Sequence, residues 1–292
     1  MNSNIRCSIC ENEKFAPLFK KGNLALVKCL GCGLVRVNNL TATFDIRLYD
    51  YYKERINISK EELYNPINTK RYLELLNRLE FCRNNNTLFE IGSGEGQLLS
   101  VAKSRHWQVE GIELAPYAVE ICKKFNLNVQ CADFLKTDIK SGYYDVVVMS
   151  EVMEHLTHPQ EYLLKANNIL RENGILVITT PNFNCITRRL LQKRWSLINK
   201  EHLFYFTPRS LKLLLRKCNF EIIGLRVSLI TLPELYRLFK RQVDDVYNRN
   251  QVIRRTIETN RLLRFLKSAS NKFLNLTGTG ESIECICRKS AN

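Results

Sequence analysis

From Thr87 onward the chain alternates short β-rich apolar runs with segments of helical period. The runs read TLFEIG at 87–92, WQVEGIEL at 107–114, LNVQCA at 127–132, YDVVVMS at 144–150 and GILVITT at 174–180. Short apolar runs bounded by polar and turn-forming residues are the mark of buried strands. GQLLSVAKSR lies between the first two runs and AVEICKKF follows the second, both amphipathic at helical spacing. A helix is expected over 69–82, and another from Thr207, with Pro208 in its first turn where a missing N–H costs nothing. FEIIGLRVS at 220–228 and SIECICRK at 282–289 add two strands. Strands alternating with helices predict an α/β, doubly wound, seven-stranded sheet whose last strand inserts late as an antiparallel partner.

Two segments lie outside that alternation. Residues 1–40 hold paired cysteines and are expected to form a zinc ribbon, joined by a polar, Tyr-rich connector (41–68) to the domain at 69–292. A basic region at 233–276, before the last strand, has apolar residues at helical spacing and is expected to be a helical insert. It reads as a lid on the core, with peripheral membrane contact as the alternative.

Composition narrows the picture modestly. A chain with 45% hydrophobic and 25% charged residues can bury a core. No run approaches the roughly 20 apolar residues of a membrane span. The start, MNSNIRCSIC, lacks the layout of a secretory signal, so a cytoplasmic location is expected. A net charge of +15 implies attraction to polyanions such as nucleic acid, anionic lipid or phosphate-bearing substrates, or simply a solvated basic surface. Eleven cysteines without an export signal point to reduced thiols, some of them ligating metal.

Cys7-x2-Cys10 and Cys29-x2-Cys32 are separated by eighteen residues. Two tight knuckles at that distance bring four thiolates to one tetrahedral zinc, with no position left open for catalysis.

The cofactor signal is Glu90-Ile-Gly92-Ser-Gly94-Glu-Gly96, after a strand and before a helix. The second strand ends in Glu113, and Asp133 follows the third. Open α/β sheets bind ligands at the carboxyl ends of their strands, and a carboxylate there can accept hydrogen bonds from ribose hydroxyls. A carboxylate-lined site also suits a sulfonium cation. Glycine spacing of GxGxG rather than GxGxxG weighs against a nicotinamide cofactor.

In these motifs residues 70–220 resemble class I S-adenosylmethionine (SAM)-dependent methyltransferases: FEIGSGEG, GIEL, CADF, YDVVVMSEVMEHL and NGILVITTPN occur in the family's order. The resemblance implies a Rossmann-like fold and SAM as cofactor. It implies Gly92, Gly94 and Gly96 around the amino-acid part of SAM, with Glu90 beneath its methionine end. Glu113 would hold the ribose, Asp133 would lie near the adenine, and Ser150, closing the fourth strand, joins the cofactor set. The ribbon layout resembles that of sugar C-methyltransferases acting on nucleotide-linked sugars.

Ser150-Glu151-Val-Met-Glu154-His155 closes the fourth strand, and a helix begun there would put Glu151, Glu154 and His155 on one face. His202 follows the fifth strand in KEHLFYFTP. His155 or His202 could be a general base toward an acceptor hydroxyl. Alternatively, Glu151, Glu154, His155 and His202 could hold Mg or Mn, or Glu154 and His155 could simply brace the loop. The ExxEH pattern resembles ubiquinone-pathway O-methyltransferases and, with the later His, metal-dependent RNA 2′-O-methyltransferases. The expected activity is O-methylation of a small molecule or of a sugar or surface-polysaccharide precursor, with Arg188, Arg189, Lys193 and Arg194 near enough to hold acceptor phosphates. RNA 2′-O-methylation and SAM binding without catalysis are the alternatives; C-methylation and the oligomeric state stay open.

Overall fold

The computed structural model describes residues 6–39, 51–64, 66–228 and 260–290. Three strands come first: β1 (Phe15–Lys21), β2 (Leu24–Cys29) and β3 (Val35–Val37). Two single-turn helices, α1 (Tyr51–Glu54) and α2 (Lys60–Leu63), lie in the connector. Ser59 and Glu62 form a capping box on α2, each side chain satisfying the other's backbone N–H. Next comes α3 (Pro66–Leu79), continued by a 3-10 turn to Cys82, close to the helix expected at 69–82.

The main sheet then forms in the expected alternation: β4 (Thr87–Ile91), α4 (Gln97–Ser104), β5 (Gln108–Glu113), α5 (Pro116–Lys124), β6 (Asn128–Cys131), β7 (Tyr144–Ser150), α6 (Pro159–Ile169) and β8 (Leu170–Pro181). After α7 (Ile186–Leu191) and the two-residue β9 (Phe204–Tyr205) come α8 (Pro208–Lys217), β10 (Phe220–Ser228), α9 (Arg261–Thr277) and β11 (Ser282–Lys289). Of the expected insert at 233–276, residues 233–259 lie outside the described residues, and α9 covers the remainder.

The seven strands run in the order β10-β11-β8-β7-β4-β5-β6. β4 to β8 are parallel, whereas β11 enters antiparallel between β8 and β10, as the sequence pattern implied. This is the Rossmann-like α/β fold. Its central strands read as continuous apolar runs because both faces are covered. Alternate residues serve opposite cores: Phe89, Val147 and Leu176 face one, Leu88, Val146 and Val177 the other. The second core is closed by Leu76 of α3, Leu98 of α4 and Val119 of α5. The first is closed by Leu163 of α6, Leu211 of α8 and, from the ribbon, Leu26, Leu34 and Val35.

The ribbon is therefore joined to the larger domain. Its strands form a second sheet, β1-β2-β3-β9, whose fourth member comes from the chain after β8. Val35 pairs with Tyr205 and Arg36 with Phe204, so one sheet spans the expected boundary near residue 40.

Asp145, wholly buried at the start of β7, accepts hydrogen bonds from the backbone N–H groups of Asn84, Asn85 and Thr87 and pairs with Arg171. It anchors the entry to β4, and so the loop that follows β4. Among the described residues no helix is long and apolar enough to cross a membrane.

Candidate active site

β4 delivers Glu90 and then turns through Gly92, Gly94 and Gly96 into α4. Gly96 has φ +74°, and a Cβ there would stand 2.5 Å from Leu127 Cδ1 and 2.9 Å from Cys122 Sγ. Only glycine meets both the left-handed backbone and the close approach. Gly92, at φ +70°, lies so near Val152 that a Cβ would come within 2.6 Å of its Cγ2. The glycine loop thus packs against the segment that carries Glu154 and His155. On the loop's other side, α1 approaches: Tyr52 Oη is 3.1 Å from where a Gly94 Cβ would be, and Arg55, just past the end of α1, holds Glu95 in a two-pronged ion pair.

Glu113, closing β5, accepts from Gly94 N–H at 2.9 Å, Leu114 N–H at 2.7 Å and Ala115 N–H at 2.9 Å. Its carboxylate is thereby aimed by the backbone of two loops. Glu90 is different. It is buried, its Oε2 has no partner among the described residues, and burial, then repulsion from Glu113, push its pKa well above the usual carboxylate range. A buried carboxylate with a free oxygen beside a glycine cradle fits a cationic ligand, as SAM is. Asp133 caps the turn after β6, accepting from Leu135 N–H at 3.0 Å. The Ser150 hydroxyl meets that of Thr179 at 2.9 Å, tying the ends of β7 and β8.

No helix begins at Ser150. Glu151 takes a left-handed φ of +54°, which breaks the strand without starting an α-helix. A single 3-10 turn, Met153–His155, follows instead. Of the four residues proposed for a divalent cation, the structure gathers three: donor atoms of Glu154, His155 and His202 lie within 4.8 Å of one another. Glu151 stands outside that cluster.

The cluster's protonation follows from its surroundings. Glu154 is buried and accepts from Thr180 Oγ1 at 2.9 Å; burial and then the neighbouring Glu151 hold its pKa well above the usual carboxylate range. His155 Nδ1 lies 3.0 Å from the Glu201 carbonyl. A carbonyl only accepts, so Nδ1 carries the proton and Nε2 keeps its lone pair. Burial lowers the His155 pKa, and that of His202 falls to about 3 through burial and then the nearby His155. Both rings are neutral at physiological pH and meet edge to face, centroids 4.8 Å apart. His202 Nδ1 is buried without a partner among the described residues.

The four ribbon cysteines converge as their spacing predicts. Cys7 and Cys32 sulfurs are 3.5 Å apart, as are those of Cys10 and Cys29, and all four lie within 4.8 Å. Thiolates about 2.3 Å from a tetrahedral zinc would stand about 3.8 Å apart, so the cluster is compatible with that ion.

Among the basic side chains expected to hold phosphate, Arg188 is turned inward, donating to the Phe183 carbonyl at 2.8 Å and covering its ring. Arg189 donates to Asn184 Oδ1 at 2.6 Å, while Lys193 and Arg194 are exposed. Sequence reasoning missed Val152, Thr180 and the ribbon strands that hold β9. Thr180 is legible only as one of a run of strand residues, and β9 is too short to show any period.

Residues 64–225 match a family model described as a methyltransferase domain. The chain is similar to a ubiquinone biosynthesis O-methyltransferase of Coxiella burnetii, 25% identical over 177 residues, which is 52% of this chain and 73% of that one. It is 29% identical over 108 residues to a malonyl-[acyl-carrier protein] O-methyltransferase of Paenibacillus sp., covering 32% of this chain and 39% of that one. A SAM-dependent methyltransferase from Archaeoglobus fulgidus has the same fold, with a TM-score of 0.55 and 20% identity, covering 82% of this chain and 99% of that one. So does geranyl diphosphate C-methyltransferase from Streptomyces coelicolor, solved with Mg2+, geranyl diphosphate and S-adenosyl-L-homocysteine, at TM-score 0.53 and 14% identity, with 82% and 83% covered.

Proposed function

We propose an acceptor and a mechanism for a chain that belongs to the methyltransferase-domain family and is a SAM-dependent methyltransferase. The acceptor is a hydroxyl of a small molecule or of a sugar-type precursor, and His155 is the general base. The observation that carries this reading is His155 itself. Its Nδ1 is committed to the Glu201 carbonyl, its Nε2 lone pair is available, and it closes the turn that follows Val152, the residue packed against the glycine loop.

SAM supplies an electrophilic methyl group on sulfur. In the cofactor site Gly92, Gly94 and Gly96 would admit its amino-acid part, Glu90 would offer a carboxylate to its cationic end, and Glu113 would hold the ribose, with Asp133 and Ser150 at the margins. With SAM bound, His155 Nε2 would take the acceptor's hydroxyl proton while the acceptor oxygen receives the methyl group and the sulfur keeps the electron pair of the broken bond. Most of the rate enhancement comes from alignment of the two partners. The named O-methyltransferase relatives support oxygen as the acceptor atom.

A second version of this mechanism is favoured by His202 Nδ1, a buried ring nitrogen with no hydrogen-bond partner among the described residues. Glu154, His155 and His202 fit a divalent cation such as Mn or Mg, which would acidify a bound acceptor hydroxyl. Glu154 must then lose its proton, so cation binding weakens as the pH falls. The four cysteines, in the same proposal, hold a structural zinc.

Methyl transfer from labelled SAM to a panel of phenols, sugars and nucleotide-linked sugars tests the reading. Replacing His155 with Gln is expected to lower kcat by about a hundredfold to ten-thousandfold, the range of a lost general base. Because burial depresses the His155 pKa, the wild-type rate should stay level down to about pH 6.5 and fall only below it. A rate unaffected by H155Q would remove His155 from the chemistry. Calorimetric titration of Mn2+ into wild type and His202→Ala separates the two versions: binding lost in H202A supports the cation, and no binding to either protein leaves His155 acting alone.

A further inference from the structure

The segment that carries His202 has little structure of its own. Between α7 and β9 it contains one 3-10 turn, Gln192–Arg194, and then irregular chain. The ribbon holds it at three places. Lys21, at the end of β1, donates to the carbonyls of Trp195 at 3.1 Å and Ile198 at 2.7 Å. Val37 N–H, at the end of β3, donates to the Leu203 carbonyl at 3.0 Å. β9 completes the ribbon sheet beside β3. Leu203 then donates its own N–H to the Glu154 carbonyl at 2.8 Å. The backbone bonds therefore run from β3 through Leu203 to Glu154, with His202 adjacent.

β3 is in turn held by the cysteine knuckles, since Cys29 N–H donates to the Leu34 carbonyl at 2.8 Å. Arg36 lies across from Val27 on β2 and so shares a sheet face with Val27 and Cys29. It is only 2% exposed and its guanidinium lies 4.8 Å from the Phe15 ring centre. Nη1 donates to the Val37 carbonyl at 3.3 Å, whereas Nε has no partner among the described residues. A buried, under-satisfied cation is costly unless negative charge faces it. On that shared face Cys29, once bound to a metal as a thiolate, would supply negative charge. A divalent metal bound by four thiolates has a net charge of about −2, which a guanidinium partly offsets.

We propose that the ribbon is the positioning element of the acceptor side: a zinc-type ion on the four cysteines, balanced by Arg36, holds β3 and through it sets His202 against Glu154. Arg36 is a positioning residue and touches neither cofactor nor acceptor. This inference rests on Glu154, His155 and His202 being the acceptor side. Its test reads backbone protection and metal affinity, not methyl transfer, so failure of the acceptor assignment leaves the outcome readable.

The experiment is hydrogen–deuterium exchange on the full chain, zinc-loaded and after treatment with a strong zinc chelator. Stripping the metal should speed exchange in residues 199–206 at least about tenfold, as local rather than global opening does. The peptides over β4 and β7 should keep their protection, and SAM affinity should change by less than about threefold. Unchanged exchange in 199–206, or loss of protection throughout the sheet, would overturn the proposal. In parallel, Arg36→Met should lower zinc affinity about tenfold by competition with a metal-sensitive dye, and Arg36→Lys should recover most of the loss. Wild-type affinity in R36M would remove Arg36 from this role. Should R36M fail to fold, the chelation of wild type still decides the question of the ribbon.

Discussion

Glu113→Ala is expected to weaken SAM binding by at least about a hundredfold, since in the proposed cofactor site two charge-assisted hydrogen bonds to ribose hydroxyls would contribute about 1.5–3 kcal/mol each. It is also expected to destabilise the protein without ligand. The carboxylate accepts three backbone N–H groups, from Gly94, Leu114 and Ala115. Alanine leaves those donors to water or to nothing, at roughly 1 kcal/mol each, so a loss of about 2–3 kcal/mol should appear in urea denaturation. Glu113→Gln, which keeps one acceptor oxygen, should fall between. Calorimetry of SAM binding alongside the denaturation curves measures both. A variant that binds SAM as wild type does would remove Glu113 from the cofactor site, whatever its stability.

The neighbouring carboxylate should behave in the opposite sense. Glu90 is buried, one oxygen has no partner among the described residues, and Glu113 repels its charge. Its folded pKa stands well above the 4.5 of an exposed carboxyl, so the folded state binds a proton that the unfolded state releases. The stability this group contributes is present below pH 4.5 and is lost as pH rises toward the folded pKa. Glu90→Gln has no charge to bury. It should match wild type in stability near pH 4 and exceed it by about 1–3 kcal/mol at pH 8, where the wild-type penalty is largest. The same change should cost at least about tenfold in SAM affinity, because the charge-assisted contact proposed for Glu90 would be lost. Stabilisation together with weakened binding is the signature of a residue kept for function at a cost to the fold. Equal stability at both pH values would show that Glu90 is not held against its charge.

These two residues lie at homologous places in the chain, each closing a strand, and nothing in their neighbourhoods on the sequence separates them. The difference is tertiary. Glu113 ends where two loops turn their N–H groups toward it, while Glu90 is buried with one oxygen unpartnered among the described residues. The motif could be read as an acidic pair, but not as one satisfied and one unsatisfied acid.

The segment after β7 offers a similar contrast. ExxEH at helical spacing suggested three side chains on one helical face, yet Glu151 adopts a left-handed conformation and only a 3-10 turn follows. Three of the four expected residues, Glu154, His155 and His202, come together by chain packing and not by helical geometry, and Glu151 stays outside. The cysteine knuckles were the opposite case, since their spacing alone specified the convergence that is found.

Patterns of burial, glycine and charge that repeat within a few residues were enough to place the seven strands, the glycine loop, its two acidic strand ends and the cysteine knuckles. Such features are local: a strand needs its period of two, a tight turn its glycine, a knuckle its spacing. What only the tertiary structure decided is the joining of the ribbon to the domain through β9, and with it the meeting of His202 with Glu154 and His155. A two-residue strand carries no period. Its place is set by backbone groups that must find partners and by side chains such as Phe204 and Phe206 that must leave water, and both are met by residues far away in the chain.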